Sequence, residues 1–162
     1  MEIYTIGHSN IQTQEFLKLL KTHYIESLVD VRSIPVSKYA SQYNKGVIDQ
    51  FLCKNNIAYL YMGNRLGGKP VDSECFSNGI ADYGLVSSKQ WYQTGIYELL
   101  DHAEKHKTAI MCAEEDPYHC HRHFLLTQTM LSKGVRVYHI RGDGRLEEAT
   151  KDGQQARISS FF

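Results

Sequence analysis

Cysteine, histidine and arginine are concentrated in one short segment, CAEEDPYHCHR, which runs from Cys112 to Arg122. Cys112 follows an apolar stretch, and Asp116 and Pro117 are typical of the cap and the first residue of a helix. The free N–H groups at a helix start favour an anion. The segment therefore predicts a stabilised thiolate on Cys112, or a bound phosphate, with Arg122 as counter-ion. The alternative for Cys112 is an inert, buried cysteine.

The same segment contains enough soft ligands for a metal ion. His119 and His123 are four residues apart, which would place them on one face of a helix, as two zinc ligands might be. With Cys112 and Cys120 they form a candidate zinc ligand set. No spacing here matches a zinc signature, and Cys120 could lie on the buried face of the helix. A metal site is therefore kept as an alternative to thiol chemistry.

Strands and helices alternate along the chain, and this alternation must position the reactive residues. We expect an α/β fold: a single domain with a mostly parallel sheet of about five strands and helices on both faces. Residues 1–145 are assigned to this domain and residues 146–162 to a tail, because the chain after about Gly142 is polar and rich in glycine. The predicted strands are 2–6, 26–32, 57–62, 108–112 and 135–140, and the predicted helices are 12–24, 47–56, 88–106 and 118–133.

The carboxyl ends of parallel strands meet at one edge of the sheet, where ligands bind in open α/β folds. Polar and ionisable groups follow all five predicted strands, and their convergence predicts a functional site. In chain order these groups are His8 and Ser9, then Asp30 and Arg32, then Arg65 with Gly67, Gly68 and Lys69, then Cys112 and Glu114, and finally His139 and Arg141.

The glycine-rich loop GNRLGGKP follows the third strand. The backbone N–H groups of Gly67 and Gly68 and the charges of Arg65 and Lys69 could hold an anion. The loop lacks the Walker pattern, because no serine or threonine follows Lys69, so hydrolysis of a nucleoside triphosphate is not supported. A plain reversal of the chain is the equally weighted alternative.

Composition limits the classes of partner. Eighteen basic and eighteen acidic side chains in 162 residues give a formal net charge of zero, so any contact with nucleic acid must be local. The amino terminus has no apolar signal region, and no apolar run is long enough to cross a membrane. Four cysteines without a secretory signal are typical of reduced thiols. We therefore expect a cytoplasmic protein with no membrane partner.

The last eight residues have the pattern Gln-x-x-Ile-x-x-Phe-Phe, with Gln155 first. One helical turn would set Ile158, Phe161 and Phe162 on one side as a hydrophobic plug. This arrangement resembles the sliding-clamp interaction motif of archaeal and eukaryotic replication and repair proteins. The resemblance implies a clamp of the archaeal or eukaryotic type as partner and an archaeal source, whereas packing of the tail onto its own domain is the alternative.

Four motifs, TIGHSN, LVDVRSIPVS, YLYMGNRLGG and CAEEDPYHCHR, together resemble a widespread uncharacterised prokaryotic family, domain of unknown function four-eight-eight. The resemblance covers about Ile6 to Arg141 and implies an α/β fold without an established reaction. The residues that match its motifs are His8, Ser9, Asp30, Arg32, Gly67, Gly68, Cys112, Glu114, Cys120, His121 and Arg122.

A weaker resemblance is to rhodanese-like sulfurtransferases, in which a strand ending in Asp-x-Arg precedes a strand ending in the catalytic cysteine. LVDVR and TAIMC are similar to those two strands, with Cys112 in the place of the cysteine. The loop that follows is longer than in those enzymes and contains three carboxylates, which would repel an anionic substrate and raise the pKa of the thiol.

The leading hypothesis is an enzyme that acts on DNA or a nucleotide in repair or replication and is recruited by a sliding clamp. It is a hydrolase or a transferase. Two alternatives remain open: a clamp-binding adaptor with a structural Cys/His metal site, and a sulfurtransferase that uses Cys112. In the leading hypothesis Asp30 or Glu114 is the acid or base, Arg32, Arg122 and Arg65 bind phosphate, Cys112 is nucleophile or ligand, and His8 or His121 transfers protons.

Overall fold

A six-stranded sheet forms the centre of the chain in the computed structural model, which describes residues 1–152. A separate two-stranded hairpin is formed by the fourth and fifth strands. The strands in chain order are β1 (Glu2–Gly7), β2 (Ser27–Asp30), β3 (Ala58–Tyr61), β4 (Phe76–Ser77), β5 (Ile80–Ala81), β6 (Thr108–Cys112), β7 (Arg136–Ile140) and β8 (Leu146–Glu148).

The main sheet has the strand order β3-β2-β6-β1-β7-β8. All pairings are parallel except that of β8, which runs antiparallel to β7. The expected mostly parallel sheet is confirmed, with β8 as a sixth strand. Residues 146–148 thus extend the sheet into the stretch that was assigned to the tail. The register pairs Gly7 with Cys112 and Asp30 with Met111, so the ends of the three central strands are level.

Helices cover both faces of the sheet, as expected. The central strands β2 and β6 are buried along their whole length, because side chains on both faces are covered. One core packs Phe16, Leu20, Ile48 and Leu52 under the sheet, and the other packs Ile96, Leu99 and Met130 on the opposite face. The α-helices are α1 (Thr13–Thr22), α2 (Lys45–Lys54), α3 (Gly63–Leu66), α4 (Tyr83–Ser88), α5 (Gln90–Lys105) and α6 (Gln128–Ser132). Within residues 1–152, none of them is long and apolar enough to cross a membrane.

The segment that follows β6 differs from the continuous helix that its sequence predicts. Asp116 does cap a helical turn, because its side chain accepts a hydrogen bond from the Tyr118 N–H, but this is a short 3-10 turn, Pro117–His119. Cys120 is then extended, with φ −142° and ψ 145°. A π-helix, Arg122–Thr127, follows and continues into α6. This break turns Cys120 back towards the end of β6.

Candidate active site

Two cysteines meet where β6 ends. The sulfur atoms of Cys112 and Cys120 lie 2.7 Å apart and share a hydrogen bond. Both residues are buried, with 7% and 6% of their surface exposed, and both are free thiols. Cys112 is placed by the strand, whereas Cys120 is placed by the extended residue between the 3-10 turn and the π-helix. The broken helix therefore creates the thiol pair.

His121 is fixed beside this pair in one orientation. Its Nε2 lies 3.0 Å from the Val31 carbonyl, which can only accept, so Nε2 carries the proton. Nδ1 then presents its lone pair to the sulfurs of Cys112 and Cys120, at 3.8 and 3.6 Å. Gly68 packs against the ring, since a Cβ added there would lie 2.9 Å from His121 Cγ. The arrangement suits a base or a metal ligand at Nδ1.

Arg122 brings a buried positive charge to the thiol pair. Its side chain is fully buried, and no carboxylate within residues 1–152 forms an ion pair with it. Its Nη1 donates to the Thr5 hydroxyl at 2.6 Å, and its Nη2 donates to the carbonyls of Glu114 and Glu115 at 2.6 and 2.9 Å. Among these residues its Nε has no hydrogen-bond partner. An unpaired buried cation is costly, so it favours an anion nearby.

The pKa values of the two thiols are shifted in opposite directions. The pKa of Cys120 is lowered to about 7, first by the hydrogen bond with Cys112 and then by the main-chain N–H and charge of Arg122, which together outweigh the effect of burial. The hydrogen bond with Cys120, followed by burial, raises the pKa of Cys112. Near neutral pH Cys120 is therefore the thiol that ionises, while Cys112 keeps its proton. When it is ionised, Cys120 is the counter-ion of Arg122.

A second buried arginine, Arg32, is almost fully engaged by its own neighbours. It forms a bidentate pair with Asp30, through Nε to Oδ1 at 2.9 Å and Nη2 to Oδ2 at 2.7 Å. Nη2 also donates to the Tyr43 carbonyl at 2.7 Å, and Asp30 accepts a further hydrogen bond from Tyr59 at 2.6 Å. Asp30 is thus a buried anchor, and Arg32 keeps a single N–H on Nη1 that can face a ligand.

His8 completes this anchor. Its Nδ1 donates to the Ser9 carbonyl at 2.6 Å, and its Nε2 accepts from Arg32 Nη1 at 3.2 Å. The ring stacks on Tyr43 with 4.4 Å between centroids. Burial lowers the pKa of His8 to about 4, so the ring is neutral and both of its nitrogens are occupied. His8 therefore holds Arg32 in place.

An open cavity of about 370 Å³ faces the thiol pair. Arg32 and Lys69 give it positive charge, and the exposed Glu114 gives it one carboxylate. The carboxylate of Glu115 is held by Arg141, at 3.0 Å, which lowers its pKa. The full lining is Arg32, Ser33, Ile34, Gly68, Lys69, Tyr83, Cys112, Ala113, Glu114, His119, Cys120 and His121.

Some predicted site residues lie outside this cavity. Arg65 forms an ion pair with Glu98 on α5. Ser9 is exposed, and its N–H donates to the Ala113 carbonyl at 2.7 Å. His123 is buried and contacts other polar groups further from the thiols, as described below. The clamp motif, Gln155, Ile158, Phe161 and Phe162, lies outside the described residues.

Of the four predicted zinc ligands, the two cysteines are in contact and the two histidines lie elsewhere. His119 lies on the cavity rim, largely exposed and 3.4 Å from Asp116, and His123 Nδ1 lies 3.1 Å from His139 Nε2. Within residues 1–152 the ligand atoms that lie within 4.8 Å of one another belong to Cys112, Cys120 and His121. His119 and His123 do not share a helix face, because the extended Cys120 interrupts the helix between them.

Hydrogen bonds hold the glycine-rich loop against its neighbours and occupy the Gly67 N–H, one of the two N–H groups predicted to bind an anion. The Gly67 N–H donates to the Gly63 carbonyl at 3.0 Å, and the Lys69 N–H donates to the Ser33 hydroxyl at 2.9 Å. A Cβ at Gly67 would lie 2.1 Å from that hydroxyl oxygen. The two glycines therefore permit close approach of the loop to Ser33 and His121, while Lys69 remains on the cavity wall.

Two residues of the site, Tyr83 and Thr5, could not be identified from the sequence. Tyr83 lines the cavity at the start of α4, in a stretch without clear periodicity. Burial, followed by the charges of Cys120 and Cys112, raises its pKa. Thr5 lies inside β1, where a threonine is an ordinary strand residue, yet its hydroxyl holds Arg122.

Fold and site together define an α/β protein with a buried cysteine, histidine and arginine site at the carboxyl edge of a mostly parallel sheet. Residues 12–128, more than two thirds of the chain, match the family model described as Domain of unknown function DUF488, and the chain belongs to this family. The matched range includes Asp30, Arg32, Cys112 and Cys120 but not His8. Neither a curated protein nor a solved structure matches the chain.

Proposed function

We propose that this protein is a thiolate enzyme that acts on a phosphate-bearing nucleotide or nucleic acid and is brought to DNA by a sliding clamp. The observation that carries the proposal is the buried Arg122, which has no carboxylate partner within residues 1–152 and lies beside a thiol pair in an open cavity. Such a charge is compensated when Cys120 is a thiolate.

Each residue of the site has a separate role in the proposed reaction. Cys120 attacks an electrophilic centre of the substrate and forms a covalent intermediate, while Cys112 keeps the proton of the pair and can give it to the leaving group. Water, or a second substrate that accepts the transferred group, then attacks the covalent intermediate and releases the product. Nδ1 of His121 can accept the proton that this attacking molecule loses. The remaining N–H of Arg32 and the ammonium of Lys69 bind the substrate's anionic group. The reaction is thus a hydrolysis or a group transfer.

A test of this function compares Cys120→Ser with the parent protein. Nucleoside mono-, di- and triphosphates and short oligonucleotides are incubated with each, and products are separated by chromatography. Conversion by the parent and its loss in Cys120→Ser, with unchanged thermal unfolding, is expected. Conversion that survives Cys120→Ser contradicts the proposal. Thiosulfate belongs in the same panel, because the sulfurtransferase alternative makes Cys112 the sulfur acceptor.

A metal centre is the second candidate, favoured by the three converging ligand atoms of Cys112, Cys120 and His121. The ligand types fit zinc, and the hydrogen bond from His121 to the Val31 carbonyl is typical of metal-binding histidines. A bound zinc would supply a Lewis acid at this position. Three ligands beside a cavity match catalytic sites better than the closed, four-ligand structural site of an adaptor.

The separation of the two sulfurs differs from that of a zinc site. Two thiolates on a tetrahedral zinc stand about 3.8 Å apart, from Zn–S bonds of about 2.3 Å, whereas the two sulfurs here are 2.7 Å apart. The pair would have to open by about 1 Å to admit the ion. Metal analysis of purified protein and the absorption of a cobalt-loaded sample test this candidate. A stoichiometric metal that is lost in Cys112→Ser and Cys120→Ser would replace thiol chemistry with metal chemistry.

Recruitment by a clamp is supported by the sequence of the tail alone. Gln155, Ile158, Phe161 and Phe162 have the spacing of the archaeal and eukaryotic motif, in which exposed apolar side chains enter a groove on the partner. Calorimetry with the host clamp should show binding by the full chain and none by the Phe161→Ala, Phe162→Ala double variant. Equal binding by both would contradict recruitment through this motif.

A further inference from the structure

Charge is unevenly distributed in this neutral chain. Residues 31–71 contain six basic side chains and one acidic side chain, Asp49, so this segment carries a net charge of +5 and the rest of the chain −5. The segment includes the loops that follow β2 and β3, which end at the edge of the sheet where the cavity lies. Positive charge is therefore concentrated on one side of the site.

Four lysines of this segment are exposed: Lys54 ends α2, and the other three lie before α2, at its first residue or after β3. Lys38, Lys45 and Lys69 are exposed, and none forms an ion pair with a carboxylate within the described part of the chain. By contrast, Arg32 is paired with Asp30 and Arg65 with Glu98. We name Lys38, Lys45 and Lys69 the basic rim.

Contacts link the basic rim to the cavity. Lys69 lies on the cavity wall, and its N–H donates to the Ser33 hydroxyl at 2.9 Å. The Tyr61 hydroxyl donates to the carbonyls of Arg32 and Ser33, at 2.9 and 3.2 Å. Lys45 Nζ lies 4.2 Å from the centre of the Tyr61 ring. From the cavity outward, positive charge thus continues over adjoining residues.

Apolar side chains accompany the lysines. Tyr39 is 90% exposed, next to Lys38, and Ile34 and Val36 of the same loop are more than half exposed. Ile34 lines the cavity, and Val36 and Lys38 line an adjoining recess. An exposed aromatic ring beside lysines without ion pairs is typical of surfaces that bind single-stranded nucleic acid, where bases stack on the ring and phosphates pair with the lysines.

We infer that single-stranded nucleic acid binds along the basic rim and that Tyr39 stacks on one of its bases. The strand then presents a nucleotide to the thiol cavity. Charge complementarity selects a polyanion, and the exposed ring selects unstacked bases over a duplex. The inference rests on the proposed function, since it names the substrate class of that site.

Binding of a fluorescent twelve-nucleotide DNA single strand to the full chain, followed by anisotropy, tests the inference. Tyr39→Ala should weaken binding by about 5- to 150-fold, the range expected for loss of one stacked base, and Tyr39→Phe should bind like the parent. The Lys45→Ala, Lys69→Ala double variant should lower the slope of log affinity against log salt by about 1.4, at about 0.7 for each phosphate contact.

Matched controls separate this surface from charge in general. Lys18→Ala, Lys133→Ala removes the same charge away from the rim and should leave the affinity nearly unchanged. Equal weakening by both double variants, or equal binding of the matching duplex or of polyglutamate, would overturn the inference. Strand binding that is indifferent to the rim variants, in a protein whose nucleotide conversion requires Cys120, refutes the surface and leaves the enzyme intact.

Discussion

The hydrogen bond between the two thiols is the largest cause of the low pKa of Cys120, so removing its donor is the sharpest test of the site. Cys112→Ala deletes the donor, whereas Cys112→Ser replaces the thiol with a hydroxyl that can still donate. Arg122 remains in both variants. The two substitutions therefore differ chiefly in the hydrogen bond, and only Cys112→Ala should raise the pKa of Cys120.

The size of the effect follows from the pKa values. Cys120 titrates at about 7, against 9.0 for an ordinary thiol, so about half of it is thiolate at pH 7 and about 1% would be without the shift. The whole shift corresponds to about 3 kcal/mol. If the hydrogen bond supplies half of it, the pKa of Cys120 in Cys112→Ala rises by about one unit, and alkylation of Cys120 at pH 7 slows by about fivefold.

The assay is the rate of alkylation by iodoacetamide between pH 5 and 10, followed by intact mass and peptide mapping. It needs a Cys53→Ser background, because Cys53 is an exposed thiol. The buried Cys75, whose pKa is raised by burial, serves as an internal unreactive control. A midpoint for Cys120 that is the same in the parent and Cys112→Ala would refute the proposed pairing. So would preferential alkylation of Cys112 in the parent at pH 7.

Three further predictions concern the residues that support the site. Asp30→Asn leaves a buried guanidinium without its carboxylate and should cost about 3–5 kcal/mol in urea unfolding. Gly68→Ala forces a Cβ to within 2.9 Å of the His121 ring and should cost about 1–3 kcal/mol, whereas Gly46→Ala, with open space on a helix, should stabilise by up to about 1 kcal/mol. The pKa of His8 is lower in the folded protein than in the unfolded chain, so the neutral ring stabilises the fold above pH 6.5. This contribution, up to roughly 3 kcal/mol, is lost as the pH falls through about 4. The free energy of unfolding of His8→Gln should therefore depend less on pH over that range.

The sheet could be predicted from the sequence because its strands are short apolar runs with strong turn signals between them. The strand order could not, since β6 pairs with β1 and β2 through contacts that lie far apart in sequence. The convergence of strand ends followed from parallel pairing alone. Arg32, Cys112 and Glu114, which end or follow two of the parallel strands, do line one cavity.

The contact between Cys112 and Cys120 could not be predicted from local sequence patterns. Apolar periodicity around Cys120 predicts a regular helix, and a regular helix would not bend its sulfur back to Cys112. The observed 3-10 turn, extended residue and π-helix arise from tertiary contacts, such as the three hydrogen bonds of the Arg122 side chain. The sequence indicated Arg122 as a counter-ion but not its complete burial, because a fully buried arginine without an acidic partner has no sequence signature.

The two buried arginines explain why the basic rim is needed. Arg32 is paired with Asp30, and Arg122 lies beside Cys120, so these two arginines offer little net charge to an incoming phosphate once Cys120 is ionised. A phosphate-bearing substrate would add negative charge beside a thiolate and Glu114, which Coulomb repulsion opposes in a partly buried cavity. Cations outside the thiol pair must supply the compensation. Lys69 on the cavity wall, continued by Lys45 and Lys38, is the group of side chains placed to do so.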